Sequence, residues 1–381
     1  MTGLALTGYH EVRLIRTSPR VQIYEALRRA DGRSVLAKAF ACDEDAEARV
    51  EHEFALLQAL DVEGVVKALE LQRVGEQLVM ISEHVAWAEL TRYMRGQGLG
   101  IDEFLALAIQ LADVLAQVHE RRVIHRDIRP ANVLIDRESG RVALAEFGIS
   151  VLLEQELRYI YDADVLSGLL PYVSPELTGR TGRSVDARGD LYSLGVVFYE
   201  LLTGRQPFSS SVPLELIHAH LARMPEPLRQ HRAELPQALE RLVTTLLAKA
   251  PEHRYQTARG LAADLRALRD RFAKGESGED FVLGREDFAH ELQLPHQLYG
   301  REVERQELVD ELSRTMQSGH PRIVLLVGPA GIGKSAMIAE LEGEAARYGS
   351  YVAHGRFEAW GPHTPNSADR PYLALIDALT G

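Results

Sequence analysis

Three short motifs in fixed order constrain this chain more than any bulk property: HRDIRPAN (125–132), EFG (146–148) and SPE (174–176). Each tripeptide alone is common by chance; the ordered set at these spacings is not. The first puts a carboxylate (Asp127), a cation (Arg129) and an amide (Asn132) on one loop, and NVLI then returns toward a strand. Fourteen residues after Asn132 stands a second carboxylate, Glu146. A base, a fixed cation and two oxygen donors of the kind hard divalent cations prefer are thus drawn into one short stretch. Far downstream, GPAGIGKS (328–335) satisfies the pattern G-x-x-x-x-G-K-[ST], an independent phosphate-binding signature.

A length of 381 residues suggests two or three domains with ample material for a core. The formal charge of −12 argues against a surface for nucleic-acid backbones, which concentrates Lys and Arg. With one cysteine, Cys42, an internal disulfide is impossible, and a reducing cytoplasm is the expected compartment. No signal peptide is expected at the N-terminus, and no run approaches the roughly 18 apolar residues of a membrane span. The greasiest segment, around Leu191–Leu202, is broken by polar groups and reads as a buried helix.

Residues 9–85 read as β-rich with one helix, including a turn at Asp31-Gly32. Residues 86–272 read as mostly helical, with periodic apolar runs at 101–119, 190–203, 238–249 and 257–271. From Lys274 to Leu298 the pattern loosens into a connector whose apolar residues suggest packing on a neighbour. From Tyr299 a new unit starts: a helix at 302–317, a strand RIVLLV (322–327), the glycine loop, a helix, and a second strand near 351–357.

Within the β-rich part, the helix at roughly 45–60 has Val50, Phe54, Leu57 and Leu60 on its apolar side, with Glu53 among them. A carboxylate on a buried stripe is costly unless a cation meets it, and Lys38 on the preceding strand is the obvious partner.

In this order and at these spacings, the motifs resemble the catalytic half of a protein kinase. The resemblance implies an α+β fold with a small β-rich lobe before a larger helical one. It implies ATP and Mg²⁺ as cofactors, with Lys38 on the phosphates, Glu53 aligning Lys38, and Ile23 lining the nucleotide site. It makes Asp127 the base toward the attacking hydroxyl, Arg129 a stabiliser of the transferring charge, and Asn132 and Glu146 the metal ligands. Glu176 would pair with Arg254, and Asp190 would bond to the catalytic-loop backbone; His119 and His125 read as packing or backbone-bonding residues. Three departures stand out. The segment 14–26, where a glycine-rich lid belongs, has no glycine. Glu146 replaces the metal-binding aspartate, and its extra methylene moves the oxygens. Leu169 stands where a threonine usually bridges to the catalytic aspartate.

In the second motif, Gly328, Gly331 and Gly333 would let backbone N–H groups curl around a β-phosphate. Lys334 would reach the β- and γ-phosphates, and the Ser335 hydroxyl would ligate Mg²⁺. LYGRE and the loop together are similar to the entry of AAA-type ATPases. The whole order resembles large bacterial signalling proteins that join a serine/threonine kinase domain to such an ATPase, often with sensor and histidine-kinase modules. It implies that more chain normally follows; no histidine-kinase activity is expected here.

The expected architecture is thus a two-lobed kinase domain (1–272; lobes about 9–85 and 86–272), a connector (273–297) and the N-terminal part of an α/β P-loop unit (298–381). The expected function is ATP- and Mg²⁺-dependent phosphorylation of protein Ser/Thr hydroxyls in bacterial signalling. The expected partners are ATP and an unidentified protein substrate, without nucleic acid or membrane insertion. The alternatives are a nucleotide-binding pseudokinase that relays conformation and a small-molecule phosphotransferase of related fold.

Overall fold

The structure, a computed structural model, describes residues 4–18, 21–41, 44–84, 87–94, 96, 98–148, 150–152, 168–181, 183, 185–288, 301–320, 322–328, 334, 337–338 and 341. The chain divides into two compact units: Met1–Ser174, Val185–His220 and Met224–His290 in one, Pro175–Ser184, Leu221–Arg223 and Glu291–Gly381 in the other.

The first unit begins with β1 (Tyr9–Thr17), β2 (Val21–Arg28) and β3 (Ser34–Ala41), then α1 (Glu44–Ala59), β4 (Ala68–Val74) and β5 (Gln77–Glu83). These strands form an antiparallel sheet in the order β1-β2-β3-β5-β4. Because successive side chains alternate faces, Val35, Ala37 and Ala39 of β3 join Ala26, Val79 and Ile81 in one core, and Lys38 falls on the other face. Between β2 and β3 the expected turn forms, with Gly32 at φ +68° and its N–H donating to the Arg28 carbonyl. The glycine-free β1–β2 hairpin obtains its bend from two register shifts, between His10 and Arg13 and between Leu14 and Arg16.

The remainder of this unit is mainly helical. In chain order it contains β6 (Ala88–Glu89), α2 (Leu90–Tyr93), α3 (Ile101–Glu120), β7 (Val123–Ile124), β8 (Val133–Ile135), β9 (Val142–Leu144) and β10 (Val151–Leu152). Helices α4 (Ala187–Thr203), α5 (Pro213–Ala222), α6 (Leu228–His231), α7 (Gln237–Leu246) and α8 (Ala258–Ala273) follow. The greasy segment is α4, which is apolar around most of its circumference and buried along nearly its whole length. Asp186 caps its first turn by accepting from the Arg188 N–H at 2.9 Å, and Gly204 at φ +72° closes its end. Among the described residues, no helix is long and apolar enough to cross a membrane.

His220 of α5 is buried, with Nδ1 3.0 Å from the Tyr192 hydroxyl. Burial, reinforced by the nearby charge of Lys249, pushes its pKa down to about 3. A base with a folded pKa below its unfolded value of about 6.5 binds fewer protons when folded. It therefore contributes stability that is fully present above about pH 6.5 and is lost down to about pH 3. His125, lowered by burial, acts with the same sign. We expect His220 alone to cost about 2 kcal/mol between pH 7 and pH 5. Denaturant unfolding of wild type and His220→Gln across this range checks it: the difference between the two curves should change by that amount.

Residues 274–288 lie against the same unit. Arg241 Nη2 donates to the carbonyls of Gly278 (3.4 Å), Glu279 and Phe281 (both 2.9 Å). Buried Asp264 accepts from the Tyr255 hydroxyl and the Gly284 N–H, each at 2.6 Å. Asp287 accepts from the N–H groups of Gln256 and Thr257 and from the Thr257 hydroxyl, at 2.6–2.9 Å. Phe281 and Leu283 pack on the main core. Two apolar residues of this stretch, Phe281 and Leu283, thus pack on a neighbour, as its composition suggests, while Val282 and Phe288 stay exposed.

In the second unit, α9 (Glu302–Ser318) forms as expected and ends at Gly319 in the left-handed region. The expected strand at 322–327 does not form: these residues carry no strand hydrogen bonding, and Ile323 and Val327 are over nine-tenths exposed. A strand exists only by pairing with a neighbour, and the second strand expected near 351–357 lies outside the described residues.

Candidate active site

The loop between β7 and β8 carries the first motif, and Asp190 of α4 organises it. Its carboxylate accepts from the N–H groups of His125 (2.8 Å) and Arg126 (2.7 Å) and contacts His119 Nε2 at 2.9 Å. Burial works to raise the Asp190 pKa, but the His119 hydrogen bond and the histidine charges hold it below the usual carboxylate range. These bonds hold Arg126 at φ +66°, a sparsely populated conformation for a non-glycine residue. His125 faces the other way: its Nδ1 accepts from the Asp127 N–H (3.2 Å), its Nε2 lies 3.2 Å from the Ala145 carbonyl, and its ring stacks on Phe147. His125 thus bonds the backbone, as expected, whereas His119 meets the Asp190 carboxylate.

Asn132, on a 3₁₀ turn (Pro130–Asn132), donates from Nδ2 to the Asp127 carbonyl at 2.9 Å. The Asp127 carboxylate is nearly buried, and burial raises its pKa while Arg129 and His125 oppose the rise. Arg129 Nε lies 2.9 Å from Asp127 Oδ1, an ion pair in contact but without hydrogen-bond alignment. A basic carboxylate beside a cation, in a nearly dry site, is what a general base toward a hydroxyl requires.

Across the cleft the expected pairing is replaced. The Lys38 ammonium pairs directly with Glu146 rather than with Glu53. Glu53, buried on α1, instead accepts from the Phe147 N–H at 3.1 Å. The Glu146 carboxylate reaches the lysine directly. Burial would lower the Lys38 pKa, but the Glu146 and Glu53 carboxylates outweigh it and hold the ammonium above the usual lysine range. The Lys38 charge keeps Glu146 below the usual carboxylate range. Burial pushes Glu53 up to about 7, with Glu146 adding to the rise and Lys38 opposing it. Glu146 itself sits at φ +64°, strained for a residue with a side chain and of the kind that collects at functional sites.

Lys38, Glu53, Asp127, Arg129, Asn132 and Glu146 thus converge. Ile23, half-buried on β2, pairs in register with Lys38 on the neighbouring strand. Leu169 is buried, and Glu176 and Arg254 are both buried as well. Sequence reading missed the Phe147 N–H as the partner of Glu53, and Ser150, whose hydroxyl donates to the His125 carbonyl at 2.9 Å while its own carbonyl lies 3.3 Å from His52 Nε2. The signal for the first is only positional, since any residue after Glu146 offers the same N–H.

The chemistry of the donors fits magnesium. Asn132 commits its Nδ2 inward and leaves Oδ1 for another partner, and Glu146 supplies carboxylate oxygen; Mg²⁺ takes oxygen ligands and keeps several waters. Among the described residues, no three His, Cys, Asp or Glu side chains gather as a metal cluster. In the second unit, Lys334 Nζ donates to the Gly328 carbonyl at 2.8 Å; Gly331, Gly333 and Ser335 lie outside the described residues.

The AAA ATPase domain model matches residues 297–381. Hybrid signal transduction histidine kinase G of Dictyostelium discoideum is 28% identical over 369 residues, covering 74% of this chain and 10% of that protein. Serine/threonine-protein kinase PrkC of Bacillus subtilis is 28% identical over 71% of this chain and 42% of its own length. Serine/threonine-protein kinase pkn2 of Myxococcus xanthus is 32% identical over 70% of this chain and 33% of its own. The chain therefore spans well under two thirds of the length of these relatives. The protein kinase domain model matches residues 17–265, most of the chain, and the chain belongs to the protein kinase family.

Proposed function

We propose that residues 4–288 transfer the γ-phosphoryl group of ATP to Ser/Thr hydroxyls of a protein, the activity that the names of its bacterial relatives state. The observation that carries this reading is the nearly buried Asp127 carboxylate, poised against Arg129 on a loop fixed by Asp190. ATP with Mg²⁺ supplies the phosphoryl group and its charge neutralisation when bound. Asp127 accepts the hydroxyl proton as that oxygen bonds to the γ-phosphorus and the bond from phosphorus to the β–γ bridging oxygen breaks to release ADP, and Arg129 lowers the cost of charge building up beside it. Asn132 Oδ1 and Glu146 would hold the metal. Lys38 holds the α- and β-phosphates, while Glu53 and the Phe147 N–H brace the cleft. Ile23 covers the base. Gly328, Gly331, Gly333, Lys334 and Ser335 form a second phosphate site, with Ser335 toward its Mg²⁺.

A second reading, a nucleotide-binding relay without transfer, has one observation in its favour: Glu146 is committed to Lys38. Glu146→Asp separates the two. Shortening the side chain withdraws it from Lys38 and improves the metal geometry, so transfer should rise about tenfold, equivalent to 1.36 kcal/mol of barrier. A radiolabel transfer assay with calorimetric nucleotide titration checks it. Absence of turnover in both wild type and Glu146→Asp, with Mg·ATP still bound, would establish the relay.

A further inference from the structure

We propose that Gly168 is a positioning residue for phosphoryl transfer, acting by leaving room for the guanidinium of Arg129. The inference rests on the kinase reading above and adds to it a residue that no motif chemistry marks.

Arg129 spans two neighbours. At one edge Nε meets Asp127 Oδ1 at 2.9 Å. At its far end Nη1 lies against Gly168, where a Cβ would sit only 2.5 Å away. The φ of Gly168 lies outside the left-handed region, so backbone conformation does not demand glycine there. What demands it is the space the guanidinium fills. Leu169, next along, is buried and has no hydroxyl to offer Asp127, so Arg129 is the charged side chain that contacts this carboxylate.

The energetics make the contact easy to upset. An ion pair in contact but out of hydrogen-bond alignment gains charge attraction without the directional part. A methyl group at 168 meets the end of a flexible side chain rather than backbone, so the chain absorbs it by swinging Arg129 away from Asp127. Folding is then little affected while the cation leaves the place where charge develops. Misplacement of a reacting group by about 1 Å can cost on the order of 10²-fold in rate. A lysine at 129 would behave differently: its ammonium is a point charge on a flexible stem and has no planar far edge to collide with a new Cβ.

The test is a double-mutant cycle of Gly168→Ala and Arg129→Lys, each variant in the full chain, with a crystal structure of Gly168→Ala. We expect Gly168→Ala to lower kcat by about 10²-fold with KM for ATP nearly unchanged. In the Arg129→Lys background the same change should cost less than about threefold, because its target is gone. The crystal structure should show Arg129 Nε withdrawn from Asp127. Equal losses in both backgrounds, or an intact contact in Gly168→Ala, overturn the proposal and leave Gly168 a local structural residue. Should the alanine variant fail to fold, Gly168→Ser presents a Cβ in the same place and carries the same expectations. If the unmodified chain transfers no phosphate, the proposed function falls and the catalytic role falls with it, while the structure of the variant still decides the contact.

Discussion

Replacing Asp127 by asparagine should slow phosphoryl transfer by about 10²–10⁴-fold, the range over which a positioned general base acts. Asparagine keeps the shape of the side chain and cannot accept the hydroxyl proton. The loop should survive, because its anchors lie in groups the substitution leaves in place: Asp190 holds the His125 and Arg126 N–H groups, and Asn132 bonds the Asp127 backbone carbonyl. Nucleotide affinity should persist, since Lys38 and Glu146 are untouched. Because burial raises the Asp127 pKa, the acid limb of kcat should lie above the ordinary aspartate range of about 3.9 and vanish in the variant. Transfer within about threefold of wild type would remove Asp127 from the role of base. A large loss with Mg·ATP still bound, read by calorimetry on the same sample, would establish it.

Ending the chain at residue 272 should destabilise the first unit by several kcal/mol relative to a chain ending at 288. Without residues 274–288, Arg241 loses three carbonyl acceptors and Asp264 loses the Gly284 N–H. The turn before α8 loses the carboxylate that meets the Gln256 and Thr257 N–H groups. Each buried polar group left without a partner costs on the order of 1–3 kcal/mol. Phe281 and Leu283 leave the core as well, at about 1.5–3 kcal/mol for a fully buried side chain and less for these half-buried ones. Water solvates part of what is uncovered, so the sum is an upper bound. Asp287→Ala isolates the share of the Asp287 carboxylate and should cost about 1–3 kcal/mol. Guanidinium unfolding of the three chains measures both effects. Equal midpoints for the 272 and 288 chains would return the boundary to the end of α8.

Sequence patterns predicted the elements whose stabilising contacts are local. The 3.6-residue apolar period of α3 and α4, the Asp31-Gly32 turn and the NVLI strand each depend on residues a few positions apart. The resemblance carried by the motifs implied that Lys38, Asp127, Asn132 and Glu146 share one site. RIVLLV shows where such reasoning ends: its composition is that of a strand, but pairing is a property of two segments, and composition describes one. The 274–288 segment shows the converse. It has no period of its own, and side chains of α7 and α8 and the turn before α8 bind its backbone.

The amino-acid order by itself fixed which groups the cleft would contain: a base, a cation, an amide and two carboxylates, at separations set by the chain. Tertiary structure alone decided how those groups are matched. Glu146 takes Lys38, Glu53 turns to the Phe147 N–H, and Arg129 lies between Asp127 and Gly168. The physical reason is that ion pairs form by distance in space, and one methylene or one missing Cβ changes that distance by more than the width of a hydrogen-bond well.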